Sequence, residues 1–95
     1  MSTYFVFTRE STQDQQELDI YMEKVGETLT GHSFNLLAAY GDQETLEGES
    51  PQGTVIIEFP SKEAAHAWYD SPHYQEVAKH RFKGARYRAV LVEGV

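Results

Sequence analysis

Apolar positions along the chain alternate between continuous runs and helical spacing, and the changes of pattern mark its elements. Thr3 to Arg9 is β-branched and aromatic almost throughout, which predicts a strand. Ser11 or Thr12 then offers an N-cap, with Gln15 three after Thr12 as a capping-box partner. Leu18, Tyr21, Met22, Val25 and Leu29 follow as one apolar stripe with charges between them, which predicts a long amphipathic helix ending near Gly31. Phe34 to Tyr40 reads as a second strand, and Gly41 to Gly53 as a long polar connection in which Leu46 allows a short strand extension. Thr54 to Phe59 is the clearest strand, closed by Pro60. Ser61 caps a short helix carrying Ala64, Ala65, Ala67 and Trp68, and Ser71-Pro72 restarts the helix as N-cap and first-turn proline. Tyr74, Val77, Ala78 and Arg81 share a face of that restarted helix, Gly84 stops it, and Tyr87 to Val92 is the last strand. The order βαββαβ is the split βαβ arrangement of ferredoxin-like α+β folds: a four-stranded antiparallel sheet with its helices on one face. No repeat or linker divides it, so residues 1–95 are expected to form one domain.

A sheet with one wet face alternates apolar and polar residues. These strands do not: Tyr4 and Val6 oppose Phe5 and Phe7, Ile56 opposes Val55 and Ile57, and Val90 and Val92 oppose Ala89 and Leu91. Two helices cover one face only. The economical cover for the other is a second copy, sheet against sheet, burying on the order of 1,000 Å². A monomer holding a hydrophobic ligand on that face is the alternative.

Composition narrows the classes further. The chain has no cysteine, which removes disulfides, thiolate metal sites and cysteine nucleophiles. Met1-Ser2-Thr3-Tyr4 shows neither a basic nor an apolar leader segment and the apolar runs are short, so a cytoplasmic protein without a membrane partner is expected. The net charge of −7 disfavours nucleic acid as a partner. It is unevenly spread: residues 1–50 carry −8 and residues 51–95 carry +1, with Lys79, Arg81, Lys83, Arg86 and Arg88 in one acid-free run. Such a run is either an anion-binding face or a surface that pairs with acids.

No strong catalytic motif is present. The glycines are isolated, no serine elbow occurs, and His32, His66, His73 and His80 do not fall at metal-ligand spacing, so neither metal nor cofactor is expected. The constellation that carries chemistry is Trp68, Tyr69, Ser71 and Tyr74 around a helix N-terminus, followed by His80, Arg81 and Arg88, with Tyr21 contributing from the first helix. Arg81 lies two helical turns after Tyr74, which sets a guanidinium beside an aromatic-walled cleft suited to a carboxylate or enolate. His80 is the candidate acid–base. The bland reading makes Ser71 a cap, Trp68 and Tyr74 core, and Arg81 the partner of an acid on the first helix. A cleft of a few hundred Å³ lined by Tyr69, Tyr74 and Arg81 separates the two.

Residues 68–95 resemble the C-terminal signature of domain-of-unknown-function family 1330: the Trp-Tyr-Asp-Ser-Pro-His-Tyr-Gln turn, Arg81, Arg88 and the closing Val92-Glu93-Gly94. Phe59-Pro60-Ser61 and Tyr21 are similar too, whereas Gly31-His32-Ser33 stands where a Gly-Gly pair is common. The resemblance implies a dimeric α+β barrel of ferredoxin-like subunits and supplies no activity. The wider superfamily holds cofactor-independent monooxygenases, lactone isomerases and haem-handling enzymes, a likeness of fold only. Two functions follow as expectations: a homodimer that binds or transforms a small anionic organic molecule between sheet and helices, or a non-catalytic interaction module without a ligand site.

Overall fold

The computed structural model describes residues 1–95. Strand β1 (Thr3–Thr12) leads through a short turn into helix α1 (Gln15–Thr28), strand β2 (Asn35–Ala39) and strand β3 (Gly53–Phe59). Helices α2 (Lys62–Tyr69) and α3 (Pro72–Gly84) follow, and strand β4 (Ala85–Glu93) ends the fold. The sheet is open, fully antiparallel and ordered β2-β3-β1-β4. It is ferredoxin-like, with the helices on one face, and the helix break falls at Ser71-Pro72 as the sequence predicts.

Local chemistry shifts several boundaries. Asp14, not Ser11 or Thr12, caps α1, its carboxylate accepting from the amides of Gln16 and Glu17. Ser11 and Thr12 instead extend β1 beyond a register shift and pair with Arg86 and Ala85. Helix α1 stops at Thr28, and Gly31 (φ +86°) makes the turn beyond it. Residues 41–52 carry no strand, and Leu46 stands 81% exposed. Gly84 does not terminate α3 by a left-handed turn; it ends the helix directly against α1. A Cβ there would lie 2.6 Å from the Leu18 amide nitrogen, and its carbonyl accepts from the amides of Gln13 and Asp14.

The core lies between helices and sheet and is built around Trp68, fully buried among the rings of Phe5, Phe59 and Tyr74. Its indole N–H donates to the Thr28 hydroxyl at 3.0 Å, so the buried polar atom is satisfied. The opposite sheet face is largely apolar: Val6 pairs with Ile56 and Val90 across the register, and Val90 and Val92 are each about half exposed. No helix of the chain is long and apolar enough to cross a membrane.

Candidate functional site

Alternation along β1 turns Phe5, Phe7 and Arg9 toward the helices, and pairing with β3 and β4 sets Val55, Ile57 and Tyr87 in the same layer. Between this layer and α1 lies a cavity of about 170 Å³, lined by Tyr21, Met22 and Val25 from α1, by Leu29 just beyond its end, and by Trp68. Leu36 and Tyr40 form its side toward β2. Its walls are almost wholly hydrocarbon and aromatic ring, with phenol groups among them.

Arg81 does not line this space but packs on three rings that do, those of Phe7, Tyr21 and Tyr87. It is 4% exposed, and its guanidinium carbon lies 5.0–5.9 Å from the ring centres of Phe7, Tyr21, Phe82 and Tyr87. No carboxylate pairs with it, and its Nε has no acceptor. No acid of α1 holds it, against the bland reading; Glu17 of α1 pairs with His80, 2.5 Å away. Burial works against the Arg81 charge, but the surrounding Tyr74 and Tyr21 phenols outweigh it and leave the guanidinium more firmly protonated than usual.

The phenols bond each other. Tyr21 and Tyr74 hydroxyls meet at 3.0 Å, and those of Tyr40 and Tyr87 at 2.5 Å. Burial raises the pKa of Tyr21, Tyr40 and Tyr74 above the ordinary phenol value, against the pull of Arg81. All three are neutral donors at neutral pH.

The expected single cleft is divided. Tyr21 and Trp68 line the inner cavity, while Tyr69 and Arg81 line an open groove of about 380 Å³ along β4, with Phe82, Arg86 and Tyr87. Tyr87 borders both, and Tyr74 is sealed beneath them at 0% exposure. Ser71 accepts from the Tyr74 amide and donates to the Trp68 carbonyl, a helix cap. His80, held by Glu17 where α3 packs on α1, lines no cavity. Arg88 points to the opposite sheet face, exposed and 3.3 Å from Glu10. His32 belongs to a shallow polar hollow with Asn35 and Glu58. Hydrogen bonds from Asn35, Ser2 and Tyr4 hold the Glu58 carboxyl below its usual range, so that hollow carries a negative charge and suits no anion. No group of three or more side chains converges as a metal site.

A family model described as "Domain of unknown function (DUF1330)" matches residues 2–95. The chain belongs to the DUF1330 family. Comparison with curated proteins gives no match. Among solved structures, a protein of unknown function from Rhodopseudomonas palustris is similar at TM-score 0.79 and 17% identity, over 99% of this chain and 82% of that one. A dimeric ferredoxin-like protein of unknown function from Jannaschia is similar at TM-score 0.68 and 18% identity, over 99% of this chain and 100% of that one. SnoaB, a cofactor-independent oxygenase from Streptomyces nogalater, is similar at TM-score 0.64 and 10% identity, over 99% of this chain and 93% of that one. At these identities the likeness is one of fold.

Within this DUF1330 chain, three residues of the site escape sequence reasoning: Arg9, Tyr40 and Tyr87. The signal that marks Arg9 is its phase with Phe5 and Phe7 along β1, which makes it an inward charge. Tyr40 and Tyr87 meet only through the sheet order, which brings residues 47 apart within hydrogen-bond distance.

Proposed function

We propose that this protein is a homodimer whose subunits each bind a small anionic organic molecule between sheet and helices, with Arg81 as the anion anchor. One observation carries the reading: a buried guanidinium, without a carboxylate and with a free Nε, packs on three rings that line an apolar cavity. Burying an unpaired charge costs several kcal/mol, and a protein that retains one has a use for it. A ligand carboxylate would supply the missing counter-charge, while the cavity takes its apolar body. Self-association rests on the apolar outer sheet face and on the dimeric state of similar ferredoxin-like proteins. A turnover step on the bound acid, of the cofactor-independent oxygenase kind named for one neighbour, is the enzymatic form of the same proposal.

Thermal-shift screening against small aromatic and aliphatic acids tests it. An acid at a hundred times its Kd stabilises by about 2.7 kcal/mol, a rise of about 10 °C or more for a chain of this size. The shift is lost in Arg81→Gln with the far-UV circular dichroism unchanged. No shift from any acid would overturn the reading. It would favour a non-catalytic module without a ligand site, which the mutual bonding of the phenols and the capping role of Ser71 also support.

A further inference from the structure

The inner face carries a second cation, and the fold goes to some trouble to place groups around it. Arg9 follows Phe5 and Phe7 on the inward side of β1, with Gly53 and Tyr87 as its cross-strand neighbours. Gly53 leaves space there: a Cβ would lie 2.4 Å from the Tyr40 ring. Tyr40 fills that space from the left-handed region (φ +58°), the one non-glycine residue of the chain to do so, with its amide held by the Thr54 carbonyl. Its ring lies 5.2 Å from the Arg9 guanidinium carbon and its hydroxyl reaches Tyr87. Tyr40 follows one edge strand and Tyr87 belongs to the other, so the two phenols bridge the whole inner face at the Arg9 end of the cavity. Arg81 packs on the Tyr87 ring at 5.0 Å, and both guanidiniums bear on the Tyr40 phenol.

This end of the cavity has donors in surplus. Arg9 and Arg81 enter none of the four ion pairs of the chain. Each keeps a buried Nε without an acceptor. A pair of bonded phenols uses one O–H between them and leaves the other to donate elsewhere, and neither Tyr40 nor Tyr87 has a further side-chain partner. Two cations therefore pack on the bonded phenol pair, one on each ring, with a spare phenolic proton and no carboxylate partner. The apolar cavity that Tyr40 and Tyr87 line, about 170 Å³, matches one six-membered ring, since an engineered cavity of about 150 Å³ takes benzene.

We propose that Arg9 is a second anion-binding residue, and that Arg9, Arg81, Tyr40 and Tyr87 form one head-group site for a monocyclic aromatic carboxylate whose ring occupies the apolar cavity. This rests on the anion-binding reading above and adds to it the ligand class, the orientation and the second anchor. The carboxylate lies at the phenol bridge, accepting from the guanidiniums and the spare hydroxyl, and the ring lies against Trp68 and the stripe of α1.

Titration of the intact protein with benzoate and with benzamide, its neutral isostere, followed by the fluorescence of Trp68, tests the proposal. Benzoate is expected to bind at least about ten-fold more tightly than benzamide, the range of one charge-assisted hydrogen bond. Arg9→Gln should raise the benzoate Kd by about ten-fold or more, and Tyr40→Phe, which keeps the ring in place, by a smaller factor. Both variants should retain the wild-type far-UV spectrum. Equal binding of benzoate and benzamide overturns the proposal. So does an unchanged Kd in Arg9→Gln and Tyr40→Phe while Arg81→Gln abolishes binding, a result that leaves the single-anchor reading standing. Failure of benzoate alone, with a thermal shift from some aliphatic acid, overturns the ligand class; failure of every acid overturns both readings.

Discussion

At the scale of the residue, the phenols couple the site to stability. Tyr21, Tyr40 and Tyr74 have pKa values raised by burial from the 10.0 of a free phenol. The unfolded chain therefore ionises these groups before the folded one does. Their contribution to stability is fully present below pH 10 and is lost as the pH rises beyond it. Tyrosinate absorbance should accordingly show Tyr21, Tyr40 and Tyr74 ionising only together with unfolding. A single smooth titration of all of them near pH 10, with the fold intact, would contradict the buried pairs. Arg81 illustrates the same economy. Its guanidinium packs against four rings, about 0.5–2 kcal/mol each, which offsets part of its desolvation while its Nε–H stays without an acceptor.

At the scale of the element, close approach matters more than intrinsic preference. Gly84 and Gly26 are both helical glycines, yet they predict opposite effects. A Cβ at Gly84 meets the backbone of Leu18 and Asp14, whereas at Gly26 it meets nothing within 4 Å. Gly84→Ala should destabilise by about 1–3 kcal/mol through overpacking, and Gly26→Ala should stabilise by about 0.5–1 kcal/mol through helix propensity. Chemical denaturation midpoints check both, and equal effects would contradict the packing of α3 on α1. This contrast also shows what the sequence could tell. Periodicity and caps delivered all seven elements and the helix break at Ser71-Pro72, because local chemistry decides them. The α1 cap was misplaced because Ser11 and Thr12 are recruited into pairing with β4, a long-range choice. The site was half legible: Tyr21, Trp68 and Arg81 announce themselves by spacing. Tyr40 does not, because its left-handed backbone and the vacancy at Gly53 are set by the sheet.

At the scale of the molecule, the open sheet leaves one face of the fold uncovered. Val6, Ile56 and Val90 lie in register at its centre, and Val90 and Val92 stand about half exposed. A second copy across this face would bring the assembly to twice the 10.8 kDa of one chain. Sedimentation at micromolar concentration should give that mass, and Ile56→Glu should give a folded single chain. A wild-type protein of one-chain mass would contradict the dimer. The cavity lies on the other side of the sheet, so the proposed binding site would be complete within one chain.

The central claim is that the Arg81 guanidinium, which no carboxylate of the chain pairs, meets the carboxylate of a ligand, and its acceptor-free Nε–H reports on it most directly. In proton–nitrogen correlation spectra of the labelled protein, addition of benzoate should move the Arg81 Nε–H resonance, saturably and together with that of Arg9, while benzamide leaves both in place. An Arg81 resonance that stays fixed throughout the benzoate titration would contradict the account.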